Sequence, residues 1–274
     1  MTRISQQERR GVLESAIGDE KMTKVMMYGC NGYMGHVICD LIKAMDHVEV
    51  AAGVDVTGVA NDDFPVFTSL EKVDVKVDAI IDFSAAVAVD SVLDYAVEKQ
   101  IPLVECTTGL SEEQLAHLEE CSKKVAILRS ANMSLGVNTL LKMVKTAAKV
   151  LGEAGFDIDI VEKHHRRKLD APSGTALALA DSINEACDGK YNYVFDRSER
   201  RMQRPADEIG ISAVRGGTIV GEHEIIFAGT DEVIEFKHTA YSRAVFGKGA
   251  IEAAVYLAGK PAGLYDMSDV IEGK

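Results

Sequence analysis

A glycine-rich segment near the start of the chain narrows the available folds more than any other feature. The segment GCNGYMG spans residues 29–35, directly after the apolar run KVMMY and before an apolar pattern of helical spacing that reaches Met45. A strand, a glycine-rich turn and a helix in this order favour a βαβ unit whose turn binds a dinucleotide. The spacing is G-x-x-G-x-x-G rather than the more common G-x-G-x-x-G, so these glycines alone also fit a structural turn.

The rest of the chain extends this pattern and then changes it. Up to about residue 130, short apolar runs alternate with helical patterns, which predicts a parallel sheet with helices on both faces. From Ile211 to Tyr241 the segments become β-rich, with turns at Gly216–Gly217 and Gly229–Asp231. We therefore predict an α/β fold, with a Rossmann-like dinucleotide-binding domain and a second α+β domain built on a mixed sheet.

The predicted boundaries follow these changes in pattern. Residues 24–135 together with the helical tail 243–274 form the dinucleotide-binding domain, and residues 136–242 form the second domain. Residues 1–23 form an N-terminal extension. They are polar and charged with no apolar core, so they do not resemble a secretory signal, and Met22 would serve equally well as a natural start.

Charge and cysteine content exclude several classes of protein. The formal net charge of −13 disfavours a nucleic-acid partner, because phosphate binding needs a basic face. The five cysteines are an odd number without a CxxC pair, which argues against a disulfide framework and a zinc knuckle. No apolar run approaches the roughly 18 residues of a membrane span. We expect a cytoplasmic protein with reduced cysteines and no metal.

An acidic residue follows the second predicted strand at a position suited to a ribose. Asp55 lies 26 residues after Gly29, where its carboxylate can accept hydrogen bonds from the adenosine hydroxyls; an ordinary strand-end carboxylate is the alternative. The next residues are Val56, Thr57 and Gly58, none of them basic, and a carboxylate repels a 2′-phosphate. We predict that NADH is used at least as well as NADPH.

The block EKHHRRKLDAPSGT, residues 162–175, combines two imidazoles and four cations with a turn that opens a helix. Backbone N–H groups and hydroxyls at a helix N-terminus bind anions, and histidine or lysine beside them can donate protons. Adjacent histidines on a strand point to opposite faces, which disfavours a shared metal. Arg166 and Arg167 also fit a solvated surface. The whole block indicates a site for a small polyanionic acid in a proton-coupled reaction.

The same block closely resembles the signature of 4-hydroxy-tetrahydrodipicolinate reductases, (E)-x-HH-x-x-K-x-DAPSGTA. Further segments resemble that family in its order: GCNGYMG, IDFS (81–84), CTTG (106–109), SANMSLGVN (130–138) and RGGTIVGEH (215–223). The resemblance implies hydride transfer from a reduced nicotinamide to a cyclic, imine-containing dicarboxylate in lysine and diaminopimelate biosynthesis. It also implies that the second domain binds substrate and assembles a homotetramer.

Residue by residue, the resemblance implies that His164 and Lys168 donate protons. His165, Ser173, Gly174 and Thr175 would bind substrate. The implied cofactor residues are Gly29, Cys30, Asn31, Gly32, Tyr33, Met34, Asp55, Cys106, Thr107, Thr108, Ser130, Ala131, Asn132 and Met133.

Three positions depart from the family pattern. Tyr33 and Val56 stand where arginines able to serve a 2′-phosphate are frequent, which strengthens the expectation of NADH. Cys106 stands where glycine is usual, and a catalytic thiol role for it has little support. Two other functions remain open: an aspartate- or homoserine-type dehydrogenase, which should lack the 162–175 block, and a dinucleotide sensor that binds cofactor without turnover.

Overall fold

The computed structural model describes residues 22–198 and 200–273, which fold around two β-sheets. The first, sheet A, has seven strands in the order β12-β6-β5-β4-β1-β2-β3, and every neighbouring pair is parallel. Its strands are β1 (Thr23–Tyr28), β2 (Val48–Val54), β3 (Val66–Phe67), β4 (Ala79–Asp82), β5 (Leu103–Glu105), β6 (Ala126–Arg129) and β12 (Gly263–Tyr265). The predicted extension lies mostly outside the described residues.

Helices cover both faces of sheet A, as the uninterrupted apolar strands require. One core joins Val25, Met27 and Ile81 to helices α1 (Tyr33–Ile42), α6 (Ala244–Leu257) and α7 (Met267–Glu272). The other core joins Met26 and Ile80 to α2 (Val89–Lys99) and α3 (Glu112–Ser122). The C-terminal tail therefore packs against the first sheet, far along the chain from the strands it covers.

The second sheet, sheet B, has the order β11-β10-β7-β9-β8. Its strands are β7 (Asp157–His164), β8 (Asn192–Val194), β9 (Glu208–Arg215), β10 (Gly221–Ala228) and β11 (Val233–Ala240). β9 pairs in parallel with β7 and β8, whereas β10 is antiparallel to β7 and β11. Alternate residues such as Ile158, Ile160 and Phe227 are buried under helices α4 (Leu135–Glu153) and α5 (Gly174–Ala186).

The predicted fold class is confirmed, since a parallel sheet is joined to a mixed second sheet. Three details differ. The short edge strands β3, β8 and β12 were not predicted, because two or three residues show no periodicity. The tail is interrupted by β12 and is not helical throughout. The β-rich region begins at Glu208 rather than Ile211. Among the described residues, no helix is long and apolar enough to cross a membrane.

Candidate active site

The glycine-rich loop lies where sheet A reverses its strand order. β1 stands between β2 and β4, so the chain leaves it toward opposite edges and opens a crevice at the carboxyl ends of the strands. Ligands of open α/β sheets bind at this position. Two cavities of about 310 and 360 Å³ lie along this edge, one beside Asp55 and the other beside Cys106.

Two glycines of the loop are required by its geometry. Gly29 has φ +81°, and a Cβ there would meet the backbone oxygen of Phe83 at 2.8 Å. A Cβ on Gly35 would overlap the carbonyl oxygens of Gly29 and Cys30. Gly32 is the N-cap of α1 and offers no side-chain acceptor, so no side chain caps the first-turn N–H groups. The free N–H groups at this helix N-terminus are suited to bind a pyrophosphate.

Asp55 ties the loop to the end of β2. Its carboxylate accepts hydrogen bonds from the backbone N–H of Thr57 (2.9 Å), the Thr57 hydroxyl (2.7 Å) and the backbone N–H of Asn31 (3.2 Å). Burial alone would raise the pKa of Asp55, but these hydrogen bonds outweigh it and lower the pKa. The ionised carboxylate lies in the smaller cavity beside the exposed Val56.

The larger cavity collects most of the remaining predicted cofactor residues. Its walls come from the ends of β4, β5 and β6 with the loops that follow them, and from the starts of α1 and α6. They comprise Met34, Phe83, Glu105, Cys106, Thr107, Thr108, Gly109, Arg129, Ser130, Ala131, Asn132, Met133, Arg243 and Phe246. Burial, followed by the charges of Glu105 and Asp82, raises the pKa of the Cys106 thiol well above its usual value. A thiol that resists ionisation is a poor nucleophile.

Sequence reasoning missed a cation beside this loop. Arg243, at the N-cap of α6, places its guanidinium carbon 5.3 Å from the ring centre of Tyr33. Arg243 lines the larger cavity rather than the cavity beside Asp55. Its charge therefore lies beside the cavity that holds Cys106 and not in the cavity beside Asp55. The long separation in sequence concealed it.

A buried pair of carboxyl groups, also missed, underlies the larger cavity. Asp82 and Glu105 end the adjacent strands β4 and β5 in register, are 0% and 1% exposed, and interact through their side chains. Asp82 accepts a hydrogen bond from the N–H of Ser84, and Glu105 from that of Thr107, both at 2.7 Å. Burial and then the charge of Asp82 raise the pKa of Glu105 to about 9. One proton shared between them would satisfy their remaining oxygens, Asp82 Oδ2 and Glu105 Oε2.

In sheet B, Glu162 organises the predicted catalytic block. Its fully buried carboxylate receives two hydrogen bonds from Arg215, at 2.6 and 2.7 Å, and one from the N–H of Ser173 at 2.9 Å. Nδ1 of His164 lies 2.6 Å from its Oε2. Because a carboxylate only accepts, Nδ1 carries the proton and Nε2 is left as the reactive nitrogen. Glu162 was not predicted as a site residue. It precedes His164 by two residues on a predicted strand, and this spacing places both side chains on the same face, which could have indicated their contact.

The groups around His164 shift the pKa of its imidazole in opposite directions. Burial lowers the pKa of the imidazole, the hydrogen bond to Glu162 raises it, and the charges of Lys168 and Arg215 lower it again. The net shift is downward, so the imidazole is largely neutral at pH 7. Nζ of Lys168 lies 2.9 Å from Oδ1 of Asp170, close enough for its charge to act on His164.

The start of α5 adjoins this cluster and joins it to the cofactor side. Ser173, 1% exposed, caps the helix by accepting from the N–H of Ala176 at 3.2 Å, and its Oγ lies 3.0 Å from Nε2 of the buried His223. Gly174 and Thr175 form the first turn. The side-chain amide of Asn132 donates to the hydroxyl of Thr175 at 3.0 Å. This bond links the loop after β6 to the second sheet's helix.

Not every predicted residue meets the others. The described lining of the larger cavity includes no residue of the 162–175 block. His165 is half-buried with no hydrogen-bond partner at its Nδ1 among the described residues. Arg166 and Arg167 are exposed, as a solvated surface would have them. The structure thus presents two half-sites that meet at Asn132 and Thr175.

Sequence comparisons extend over nearly the whole described chain. Residues 23–133 match the N-terminal family profile of dihydrodipicolinate reductase, and residues 136–271 match the C-terminal one. The 4-hydroxy-tetrahydrodipicolinate reductase of Caldanaerobacter subterraneus subsp. tengcongensis is 52% identical over 251 residues, covering 92% of this chain and 99% of that protein. The enzyme of the same name from Clostridium tetani is 47% identical, covering 90% and 96%.

Structural comparison agrees with the sequence comparison. Dipicolinate-bound dihydrodipicolinate reductase from Paenisporosarcina sp. TG-14 is similar with a TM-score of 0.75 and 25% identity, covering 89% of this chain and 97% of that one. A probable dehydrogenase from Thermotoga maritima has a TM-score of 0.54 at 11% identity, covering 91% and 93%, which shows a shared fold alone.

Proposed function

The chain belongs to the dihydrodipicolinate reductase family, and from that premise we propose that NADH is its preferred hydride donor and that His164 and Lys168 are its proton donors. Its reaction is the reduction of 4-hydroxy-tetrahydrodipicolinate to tetrahydrodipicolinate in lysine and diaminopimelate biosynthesis. The reaction transfers a hydride from a nicotinamide dinucleotide to a small dicarboxylate. We therefore assign the dinucleotide to one half-site and the dicarboxylate to the other.

The observation that carries the proposal is the hydrogen bond between Asn132 and Thr175. Asn132 lines the larger cavity, and Thr175 is in the first turn of α5, two residues after the buried Ser173, whose N–H donates to Glu162. A ligand held at the helix start therefore lies next to the cavity that we assign to the nicotinamide. A reduced nicotinamide bound there supplies the hydride.

In this proposal the chain's own groups position the substrate and handle its protons. The first-turn N–H groups of Gly174 and Thr175 bind one carboxylate, and His165 contributes to binding the other. The dianion offsets the charges of Arg215 and Lys168 that depress the pKa of His164. The imidazole can then carry a proton at Nε2, while Glu162 holds Nδ1. Closure of the two half-sites would bring His164 and Lys168 to the cofactor.

Preference for NADH rests on the neighbourhood of Asp55. Its carboxylate is ionised and fixed by Thr57 and Asn31, which suits ribose hydroxyls and repels a 2′-phosphate. The uncapped start of α1 and the close approach allowed by Gly29 fit the pyrophosphate. Arg243, which stacks on Tyr33, lines the cavity that holds Cys106 and not the cavity beside Asp55.

The direct test follows oxidation of NADH and, separately, NADPH while the preceding synthase makes the substrate from pyruvate and aspartate semialdehyde. We expect rapid oxidation with NADH favoured. Faster oxidation of NADPH would keep the reaction and overturn the cofactor preference. Binding of either dinucleotide without oxidation would favour a sensor.

The proton-donor assignment needs variants in the same assay. His164→Asn and Lys168→Gln should each lower kcat by roughly 10²–10⁴-fold while cofactor affinity stays unchanged. Arg167→Gln is the matched control, because it removes an exposed cation from the same block. A double variant with normal turnover would remove the assignment.

We also propose a cytoplasmic homotetramer. The residues of sheet B that alternate with its core, such as Val161, Ser212 and Ile226, form its second face and are half-buried or exposed. Such a face gives further copies of the chain a place to pack. Light scattering coupled to size-exclusion chromatography should give four times the chain mass of 29.6 kDa; a monomer would refute the assembly.

A further inference from the structure

Four side chains with metal-binding atoms meet on the surface of the first domain, on helices that carry none of the proposed catalytic residues. Asp90 and Asp94 lie one turn apart on α2, and His117 and Cys121 lie one turn apart on α3. Residues four apart on a helix share a face. Since α2 and α3 pack together on the same side of sheet A, the two faces oppose each other.

Three of these side chains have the spacing of a metal site. One ligand atom from each of Asp94, His117 and Cys121 lies within 4.8 Å of the others, and Nε2 of His117 is 3.2 Å from Oδ1 of Asp94. Ligands at zinc distances of about 2.0–2.3 Å in a tetrahedron stand about 3.3–3.8 Å apart. Side-chain adjustments of an ångström or less would close the site.

The fourth side chain orients the imidazole. Oδ1 of Asp90 lies 2.8 Å from Nδ1 of His117, and its Oδ2 accepts a hydrogen bond from Gln114 at 3.2 Å. Histidine ligands of metals characteristically donate their second ring nitrogen to a carboxylate, which fixes the tautomer and the ring. The Asp90 bond therefore leaves Nε2 facing Asp94, and Cys121 completes the set.

We propose that Asp94, His117 and Cys121 form a zinc site, with Asp90 as the positioning residue and water in the fourth position. A thiolate, an imidazole and a carboxylate in a three-residue set suit Zn²⁺. Cys121 is 4% exposed and forms the floor, whereas the side chains of Asp94 and His117, 74% and 32% exposed, leave the mouth open to solvent. The site ties α2 to α3.

The competing interpretation is an ion pair. A protonated His117 between Asp90 and Asp94 would satisfy both ring nitrogens and leave Cys121 as an ordinary buried thiol. The sequence predicted no metal, because it shows no CxxC pair and its adjacent histidines point to opposite faces of a strand. The Asp-x-x-x-Asp and His-x-x-x-Cys spacings lie on different helices, and each is common alone. Thiolate ligation separates the two interpretations.

The probe is Co²⁺ added to the full-length, metal-stripped protein under a phosphine reductant. We expect one equivalent to bind with tetrahedral d–d bands and a thiolate-to-cobalt charge-transfer band, and Zn²⁺ to displace it. His117→Asn and Asp94→Asn should abolish the band at stoichiometric Co²⁺, and Cys121→Ser should remove the charge-transfer component. Asp90→Asn should weaken binding by about tenfold or more without changing the band's shape.

His47→Asn is the matched control, because it removes a half-buried histidine outside the cluster and should leave the band intact. Absence of a charge-transfer band in the unsubstituted protein would overturn the proposal. So would a band that persists in His117→Asn, since another cysteine would then be the ligand. If Cys121→Ser does not fold, the Asp94 and His117 variants decide, because both side chains reach solvent.

Discussion

Oε2 of Glu162 lies 2.6 Å from Nδ1 of His164, and the same buried carboxylate is held by both terminal nitrogens of Arg215. Burial acts to raise the pKa of Glu162, but the hydrogen bonds from Arg215, His164 and Ser173 lower it on balance. Glu162 therefore remains ionised and fixes the imidazole that we propose as a proton donor. The helix start at Ser173 is attached to the same group.

The first prediction concerns this carboxylate. Glu162→Gln removes the fully buried charge that holds Arg215, whose own side chain is 19% exposed, and this should cost about 3 kcal/mol of unfolding free energy. Urea denaturation at pH 7 measures it. Lys163→Gln is the control on the opposite face of β7, where a partly exposed pair with Glu222 should contribute less than about 1 kcal/mol. Equal losses in the two variants would contradict the central role of Glu162.

The second prediction concerns acid stability and His223. Burial, followed by the charge of His164, lowers the pKa of His223 from 6.5 to about 4. The unfolded chain therefore takes up this proton first as the pH falls. The contribution of the neutral His223 to the free energy of unfolding, about 3 kcal/mol, is present in full above about pH 6.5. It is lost progressively as the pH falls to about 4.

Unfolding free energies of the protein and of His223→Gln, measured from pH 7 to pH 4.5, isolate this contribution. Glutamine retains a polar atom near Ser173 but does not titrate. Its stability should decline less steeply over this range. Parallel curves would show that His223 does not carry the proton-linked loss.

The sequence predicts those parts of the site whose residues lie close together along the chain. Gly29, Gly32 and Asp55 were predicted because the strand–turn–helix order fixes their positions relative to one another. The motif displayed His164 and Ser173 in one block, and the structure joins them through Glu162. The confirmed fold class rests on the same local periodicity.

The contacts that the sequence did not reveal are made between distant segments. Arg215 meets Glu162 only because β9 pairs with β7, and Arg243 reaches Tyr33 only because the C-terminal helix returns to the first sheet. Asp82 and Glu105 lie side by side because of the register in which β4 pairs with β5. The sequence alone does not show which strands pair or in which register. The domain boundaries and site roles proposed from the sequence stay predictions.

The third prediction tests cofactor selectivity. Val56 is 90% exposed next to Asp55, so an arginine there can reach a 2′-phosphate without disturbing the core. Val56→Arg should raise kcat/KM for NADPH about tenfold, the effect of one charge-assisted hydrogen bond. Val150→Arg, which adds the same charge to an exposed position on α4, should change neither cofactor's kcat/KM. An unchanged NADPH value in Val56→Arg would place the ribose elsewhere.

The fourth prediction concerns the carboxyl pair under the larger cavity. Burial and the charge of Asp82 raise the pKa of Glu105 to about 9, so the folded protein keeps a proton that the unfolded chain releases above about pH 4.5. A raised acid pKa makes the folded state lose stability as the pH climbs from about 4.5 to about 9. Glu105→Gln removes this titration while its amide oxygen still accepts from Thr107 and its NH₂ group donates to Asp82.

Glu105→Gln should therefore be more stable than the unsubstituted protein, with a difference that grows as the pH rises toward 9. Thermal unfolding at pH 6, 7.5 and 9 measures the trend, and Glu113→Gln, an exposed carboxylate at the start of α3, is the control. A variant whose stability runs parallel to the control would show that Glu105 does not retain a proton in the folded protein and shares none with Asp82.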